Sequence, residues 1–138
     1  MSVIVVANPK GGAGKSTLAT QIAGYLAAQG KVVTLGDLDR QQSSRQWLAL
    51  RPANLPPILP WEISREAIAR PARGTTEAVI DTPAGLHGSR LDAAMKVADT
   101  LVVPLQASLL MSPPAPRRWT QVLRQARRWR GKRRLVRS

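Results

Sequence analysis

The sequence predicts an α/β fold, a mostly parallel sheet with helices on both faces. Three observations carry this expectation. A continuously apolar run, Val3 to Ala7, feeds a glycine-rich turn and then a helical pattern from Leu18 to Leu26. A run that is apolar at every position suits a parallel strand buried on both sides, not the alternating strand of a half-exposed sheet. The chain then returns after Gly30 to a second apolar run, Lys31 to Leu35. A strand, helix, strand order with so short a return favours a right-handed parallel crossover. Two further apolar runs, Glu77 to Asp81 and Leu101 to Leu105, flank a helical pattern from Ser89 to Ala98.

Taken in order, the first helix is expected to bury Leu18, Ile22, Tyr25 and Leu26, which recur at helical spacing, and to stop at Gly30 as its C′ residue. A second helix is expected from about Ser43 to Leu50, with Trp47 as a packing residue. Arg51 to Pro60 holds four prolines and reads as a surface loop. Trp61 to Ile63 reads as a short edge strand, Ser64 to Ala69 as a weak helix and Pro71 to Thr76 as a loop. The third helix should present Leu91, Ala94, Met95 and Ala98 on one face.

At 138 residues the chain is expected to form one domain with a single core. Cysteine is absent, which excludes a disulfide framework, a thiolate metal site and a cysteine nucleophile. The N-terminal apolar run is too short for a signal peptide, and no stretch approaches the roughly 20 apolar residues that span a bilayer. A cytoplasmic location is expected. The net charge of +13 is uneven: residues 1–99 carry a balance of +3, while residues 100–138 carry ten Lys/Arg, no acid and a balance of +10.

The chemistry centres on residues 8–17, Asn-Pro-Lys-Gly-Gly-Ala-Gly-Lys-Ser-Thr. Between a strand and a helix, Gly11, Gly12 and Gly14 let the backbone curl so that successive N–H groups face phosphate oxygens. The opening of the following helix adds its positive end to the same place. In such a loop, Lys15 reaches the terminal phosphates and the Ser16 hydroxyl ligates Mg²⁺, with Gly11 to Thr17 lining the nucleotide. Asp81 ends the apolar run 77–81 and is placed to hold the same cation.

Lys-Gly-Gly-Ala-Gly-Lys-Ser-Thr, with Pro9 where the usual pattern has its first glycine and Lys10 at the front, resembles the deviant Walker A motif of the ParA/MinD family of P-loop ATPases. Asp37-Leu38-Asp39-Arg40-Gln41-Gln42-Ser43 resembles the switch I stretch of ParA proteins, with Arg40 replacing a proline. Asp81-Thr82-Pro83-Ala84-Gly85 resembles the family's Walker B segment, and 103–108 resembles its next strand. The resemblance runs from residue 2 to about 110 and is strongest for short, plasmid-type ParA proteins. It implies ATP and Mg²⁺ as cofactors, slow hydrolysis and dimerisation driven by ATP, with Lys10 reaching the phosphates of the partner subunit. It also implies that Asp39 positions the attacking water and that Asp37 lies near the Mg²⁺ shell. The alternative for these acids is that they cap the second helix. The cellular role implied is partition of plasmid or chromosomal DNA with a centromere-binding, ParB-type partner. His87, the one histidine, is read as an exposed loop residue.

Residues 111–138 leave the family pattern for an Arg- and Trp-rich segment. Three readings stand. The segment is the product of a shifted reading frame, which would make the family domain incomplete on its C-terminal side. It is a basic amphipathic helix, with Trp119, Val122, Leu123, Ala126 and Trp129 at helical spacing, able to lie on an anionic membrane as in a MinD-like ATPase. Or its arginines neutralise the phosphates of non-specific DNA. A non-enzymatic fragment with weak phosphate binding is the rival to the ATPase.

Overall fold

The computed structural model describes residues 1–7, 15–64, 67–83, 88–104 and 134–137. In chain order the elements are β1 (Ser2–Val6), α1 (Lys15–Ala28), β2 (Val33–Asp37), α2 (Ser43–Ala49), β3 (Ile58–Trp61), β4 (Glu77–Asp81), α3 (Gly88–Val97), β5 (Thr100–Val103) and β6 (Arg134–Arg137). They build one six-stranded sheet in the order β3-β2-β4-β1-β5-β6. Every pairing is parallel.

The continuously apolar strands sort their side chains to two cores, because successive residues of a strand face opposite ways. Val3, Val5, Ala78, Ile80, Leu101 and Val103 pack on the side of α3, against Leu91, Ala94 and Met95. Val6, Val33, Leu35, Val79 and Val102 pack on the other side, against Ala19, Ala23 and Ala27 of α1 and against Trp47 and Leu48 of α2. The expected architecture of a parallel sheet with helices on both faces is therefore what the chain forms. Gly30 ends α1 with a φ of 78°, as its expected role requires.

The face that α1 turns to the sheet differs from the expected one. Lys15, Ala19, Ala23 and Ala27, spaced four apart, are buried, while Leu18, Ile22 and Leu26 pack from the flanks and Tyr25 is 66% exposed. Small side chains let a helix lie close on a sheet, and the larger residues then fit beside the contact line, leaving Tyr25 on the far side.

The region 58–69 also departs from expectation. β3 begins inside the proline-rich stretch and ends at Trp61, with Pro60 in register with Leu35. A proline is tolerated there because β3 is the outer strand of the sheet, where half of its backbone groups need no partner strand. The expected helix at 64–69 is replaced by an antiparallel bridge, Ile63 to Ile68, closed by Ser64 N donating to Ala67 O at 3.0 Å. Ile63 and Ile68 pack on the α3-side core, and that burial outweighs a weak local helical preference. On the opposite edge, β6 pairs along β5 from Thr100 to Val103, a strand that was not expected from the sequence. The reading of 119–129 as a helix falls outside the described residues. No helix among the described residues is long and apolar enough to cross a membrane.

Gly36 sits where two apolar side chains close over β2. A Cβ added there would lie 2.5 Å from Ile63 Cδ1 and 3.2 Å from Trp61 Cε3. Gly36→Ala is expected to destabilise the fold by about 1–3 kcal/mol, the usual range for overpacking. Ile63→Ala in the same chain should recover part of that loss. Urea melts of the two single variants and the double variant check this, and additive losses would show that Ile63 is not the obstacle.

Candidate functional site

The C-terminal ends of β1, β2 and β4 meet at one edge of the sheet, where ligands of open parallel sheets sit. Three hydrogen bonds close this edge. Leu38 N donates to Asp81 O at 2.9 Å, Ala7 N donates to Val102 O at 3.0 Å, and the buried Thr82 Oγ1 donates to Val6 O at 2.7 Å. α1 starts here, its first residue Lys15 only 7% exposed, followed by the half-buried Ser16 and the exposed Thr17. The glycine-rich residues expected to line a nucleotide, Gly11, Gly12, Ala13 and Gly14, lie outside the described residues, as do Lys10 and His87.

Asp37 and Asp81 end adjacent strands and are direct register partners. Each is pushed to a higher pKa, chiefly by burial. For Asp37 the backbone N–H groups of Asp39, Arg45 and Ser44 counter this, while the neighbouring Asp39 charge adds to it. For Asp81 the hydroxyls of Ser16 and Ser44 and the charge of Lys15 counter it, while the Asp37 charge adds to it. Lys15, Ser16, Asp37 and Asp81, chosen from separate stretches of sequence, are thus brought together at one point.

The two carboxylates are satisfied differently. Asp37 Oδ1 accepts from Asp39 N at 2.9 Å, and Oδ2 accepts from Ser44 N at 2.9 Å and Arg45 N at 3.2 Å. Asp37 therefore does cap α2, whose own cap position is held by Gln42 with no side-chain bond. A negative charge at a helix start is favourable for the same reason. Asp39 is half-buried, and its Oδ1 accepts from Gln41 N at 3.1 Å.

Asp81 Oδ2 accepts from Ser44 Oγ at 2.6 Å, in a contact with no exposure on either side chain. Asp81 Oδ1 is the one buried side-chain polar atom without a hydrogen-bond partner among the described residues. An unpartnered carboxylate oxygen beside a serine hydroxyl is a hard-oxygen donor set, and it fits a Mg²⁺ ion with its retained waters. Sequence reasoning named Ser43 and missed Ser44 and Thr82. The only signal for Ser44 was a second serine in the first turn of a helix that follows two acids.

The raised pKa values fix a pH dependence for the ligand-free protein. Between the ordinary aspartate value of about 3.9 and the raised native values, the folded state holds protons that the unfolded state has released. Stability from these groups is thus full below that window and is lost as pH rises through the native values. Asp81→Asn removes one of the two groups, so in magnesium-free buffer its stability should fall less between pH 4 and pH 8 than that of the unaltered chain. Urea denaturation across that range measures the difference, and parallel profiles would refute the assignment.

Comparison with known proteins agrees with this geometry. The chain matches the family described as the CobQ/CobB/MinD/ParA nucleotide binding domain over residues 4–119. It is 37% identical over 116 residues to the maintenance of carboxysome distribution protein A of Gloeobacter kilaueensis, an alignment that takes in 83% of this chain and 50% of that protein. The chain thus spans about half the length of that relative. Its fold superposes on cobyrinic acid a,c-diamide synthase from Mycobacterium smegmatis, solved with a bound ATP analogue and magnesium, with a TM-score of 0.72 at 22% identity, covering 99% of this chain and 72% of that one. A plasmid partition protein from Borrelia burgdorferi superposes with a TM-score of 0.68 at 16% identity, covering 99% of this chain and 76% of that one. The phosphate-loop setting, the paired strand-end carboxylates and the family match over most of the chain agree: this protein belongs to the CobQ/CobB/MinD/ParA nucleotide-binding domain family.

Proposed function

We propose that the chain binds ATP with Mg²⁺ and hydrolyses it slowly, as the nucleotide-driven part of a system that positions DNA or another large cargo. The observation that carries this reading is the unpartnered Oδ1 of buried Asp81, set beside Ser16 and the Lys15 charge at the start of α1. Asp81 and Ser16 are the residues that would hold the cation, with the charge of Asp37 in support. When bound, Mg²⁺ neutralises charge on the phosphate oxygens.

The chain's own residues supply the rest. Gly11, Gly12, Ala13 and Gly14 wrap the phosphates with backbone N–H groups, and Thr17 continues that contact at the first turn of α1. Lys15, arriving from the buried stripe of α1, places an ammonium on the terminal phosphates. Asp39, whose backbone is tied to Asp37, orients the attacking water. Lys10 acts across a dimer formed on ATP, supplying positive charge to the phosphates of the second copy.

A carboxysome distribution protein and a plasmid partition protein among the relatives support cargo positioning as the role. Partition of DNA would call for a centromere-binding, ParB-type partner, and the basic segment 111–138 offers a contact for non-specific DNA.

Thermal melts with and without ATP and Mg²⁺ test the binding step. A ligand at one hundred times its Kd stabilises the native state by about 2.7 kcal/mol, so a rise in Tm is expected. Lys15→Ala should lose that rise. Asp39→Ala should keep it while phosphate release stops, and an unchanged release rate in that variant would refute the role given to Asp39.

A further inference from the structure

Ser44 carries no role in the proposed function, yet it bonds to both carboxylates. Its hydroxyl donates to Asp81 Oδ2 at 2.6 Å, and its backbone N–H donates to Asp37 Oδ2 at 2.9 Å. The residue is fully buried. The short hydroxyl contact has the length of a charge-assisted bond to an ionised oxygen. The end torsion of an aspartate is soft and roughly two-fold, so an unanchored carboxylate can turn and exchange its two oxygens. An anchor on Oδ2 stops that exchange and leaves Oδ1 as the one oxygen without a partner.

The geometry points to Ser44 as a positioning residue of the cation site: its hydroxyl fixes the plane of Asp81 so that Oδ1 stays free as a ligand, and its amide ties that arrangement to Asp37 and the start of α2. The inference rests on the Mg²⁺-nucleotide reading. Groups that hold a ligating carboxylate from behind typically influence metal affinity by 10- to 100-fold. Ser44 does not touch the phosphates in this account, so its hydroxyl should matter to the cation and not to the nucleotide itself.

The test uses the full chain and a fluorescent ATP analogue, with Kd measured in EDTA and with a Mg²⁺ titration at saturating nucleotide. In Ser44→Ala the Kd in EDTA should match the unaltered chain, while the apparent Kd for Mg²⁺ should rise about tenfold. Ser44→Thr, which keeps the hydroxyl, should restore much of the Mg²⁺ affinity. Ser44→Cys, nearly the same size with a weak donor, replaces the alanine variant should that one fail to fold, and it should show the same selective loss. An unchanged Mg²⁺ Kd in Ser44→Ala or Ser44→Cys overturns the inference while leaving the nucleotide reading standing. Equal weakening in EDTA and in Mg²⁺ overturns it as well, since that pattern marks a purely structural role. An unaltered chain that binds no analogue, or binds it without regard to Mg²⁺, overturns both.

Discussion

Two carboxylates in register at the ends of adjacent parallel strands set the terms for everything around them. Asp37 and Asp81 cannot move apart without breaking the β2–β4 ladder, which pairs them as its last rung. Asp81 is buried and Asp37 half-buried, and the Asp37 charge raises the cost of charging Asp81 as the Asp39 charge does for Asp37. The protein answers this with donors that the surrounding backbone already provides. Three N–H groups converge on Asp37, and they come from the turn after β2 and the open first turn of α2, where such groups have no partner within the helix. Asp81 takes the Ser44 hydroxyl on Oδ2, has the Ser16 hydroxyl beside it, and keeps Oδ1 without a hydrogen-bond partner. Leaving a buried acceptor unmade costs about 1–3 kcal/mol, and more when it is charged. A cation held as proposed would relieve that deficit, as would a proton, which the raised pKa of Asp81 favours.

The same constraint explains the shape of α1. Lys15 begins a stripe that continues through Ala19, Ala23 and Ala27, and this stripe is what the helix lays on the sheet. Three alanines allow a close approach. The first member of the stripe, one helical turn before Ala19, then projects toward the sheet edge at which Asp81 ends. A long cationic side chain at that position is buried because the alanine contact brings it there, and its charge in turn favours the ionised form of Asp81. Packing and electrostatics at this point are one arrangement.

This also accounts for what could be read in the sequence. Strands buried on both faces declare themselves as largely apolar runs, so β1, β2, β4 and β5 and the acid ending β4 were legible, β2 despite Thr34 and Gly36. The contact face of α1 was not, because size was taken as the mark of a core residue, whereas close helix–sheet approach selected alanine over Tyr25. The edge strand was expected at Trp61 to Ile63 and lies instead at Ile58–Trp61, because Pro60 reads as a strand breaker although an edge strand tolerates it. β6 was hidden because its two apolar residues, Leu135 and Val136, stand between arginines in a run too short to mark a strand, and its pairing to β5 is a long-range backbone event. Ser44 was illegible for a different reason. Its partners lie 7 residues before it and 37 residues after it, and only the parallel adjacency of β2 and β4 brings them to one side chain.

The turn between β2 and α2 shows how that adjacency is maintained. Gln42 adopts φ 50° and ψ 41°, the left-handed region, and among the described residues it is the one non-glycine with a positive φ. For a residue with a Cβ this conformation costs about 1–2 kcal/mol. It is also the bend that directs the first N–H groups of α2 back toward Asp37 and carries Ser44 beneath Asp81. Local preference alone would relax Gln42 and swing α2 away. The bonds made by Ser44 and Arg45 to the carboxylates, each to a charged acceptor, are of a size to outweigh that preference. The strained residue sits between Gln41 and Ser43, in the stretch that resembles switch I, and its bend is held both by local bonds, Gln42 N to Asp39 O and Gln46 N to Gln42 O, and by the bonds of α2 to the two acids. Local strain and the electrostatics of the two acids therefore meet in the same five residues that join β2 to α2.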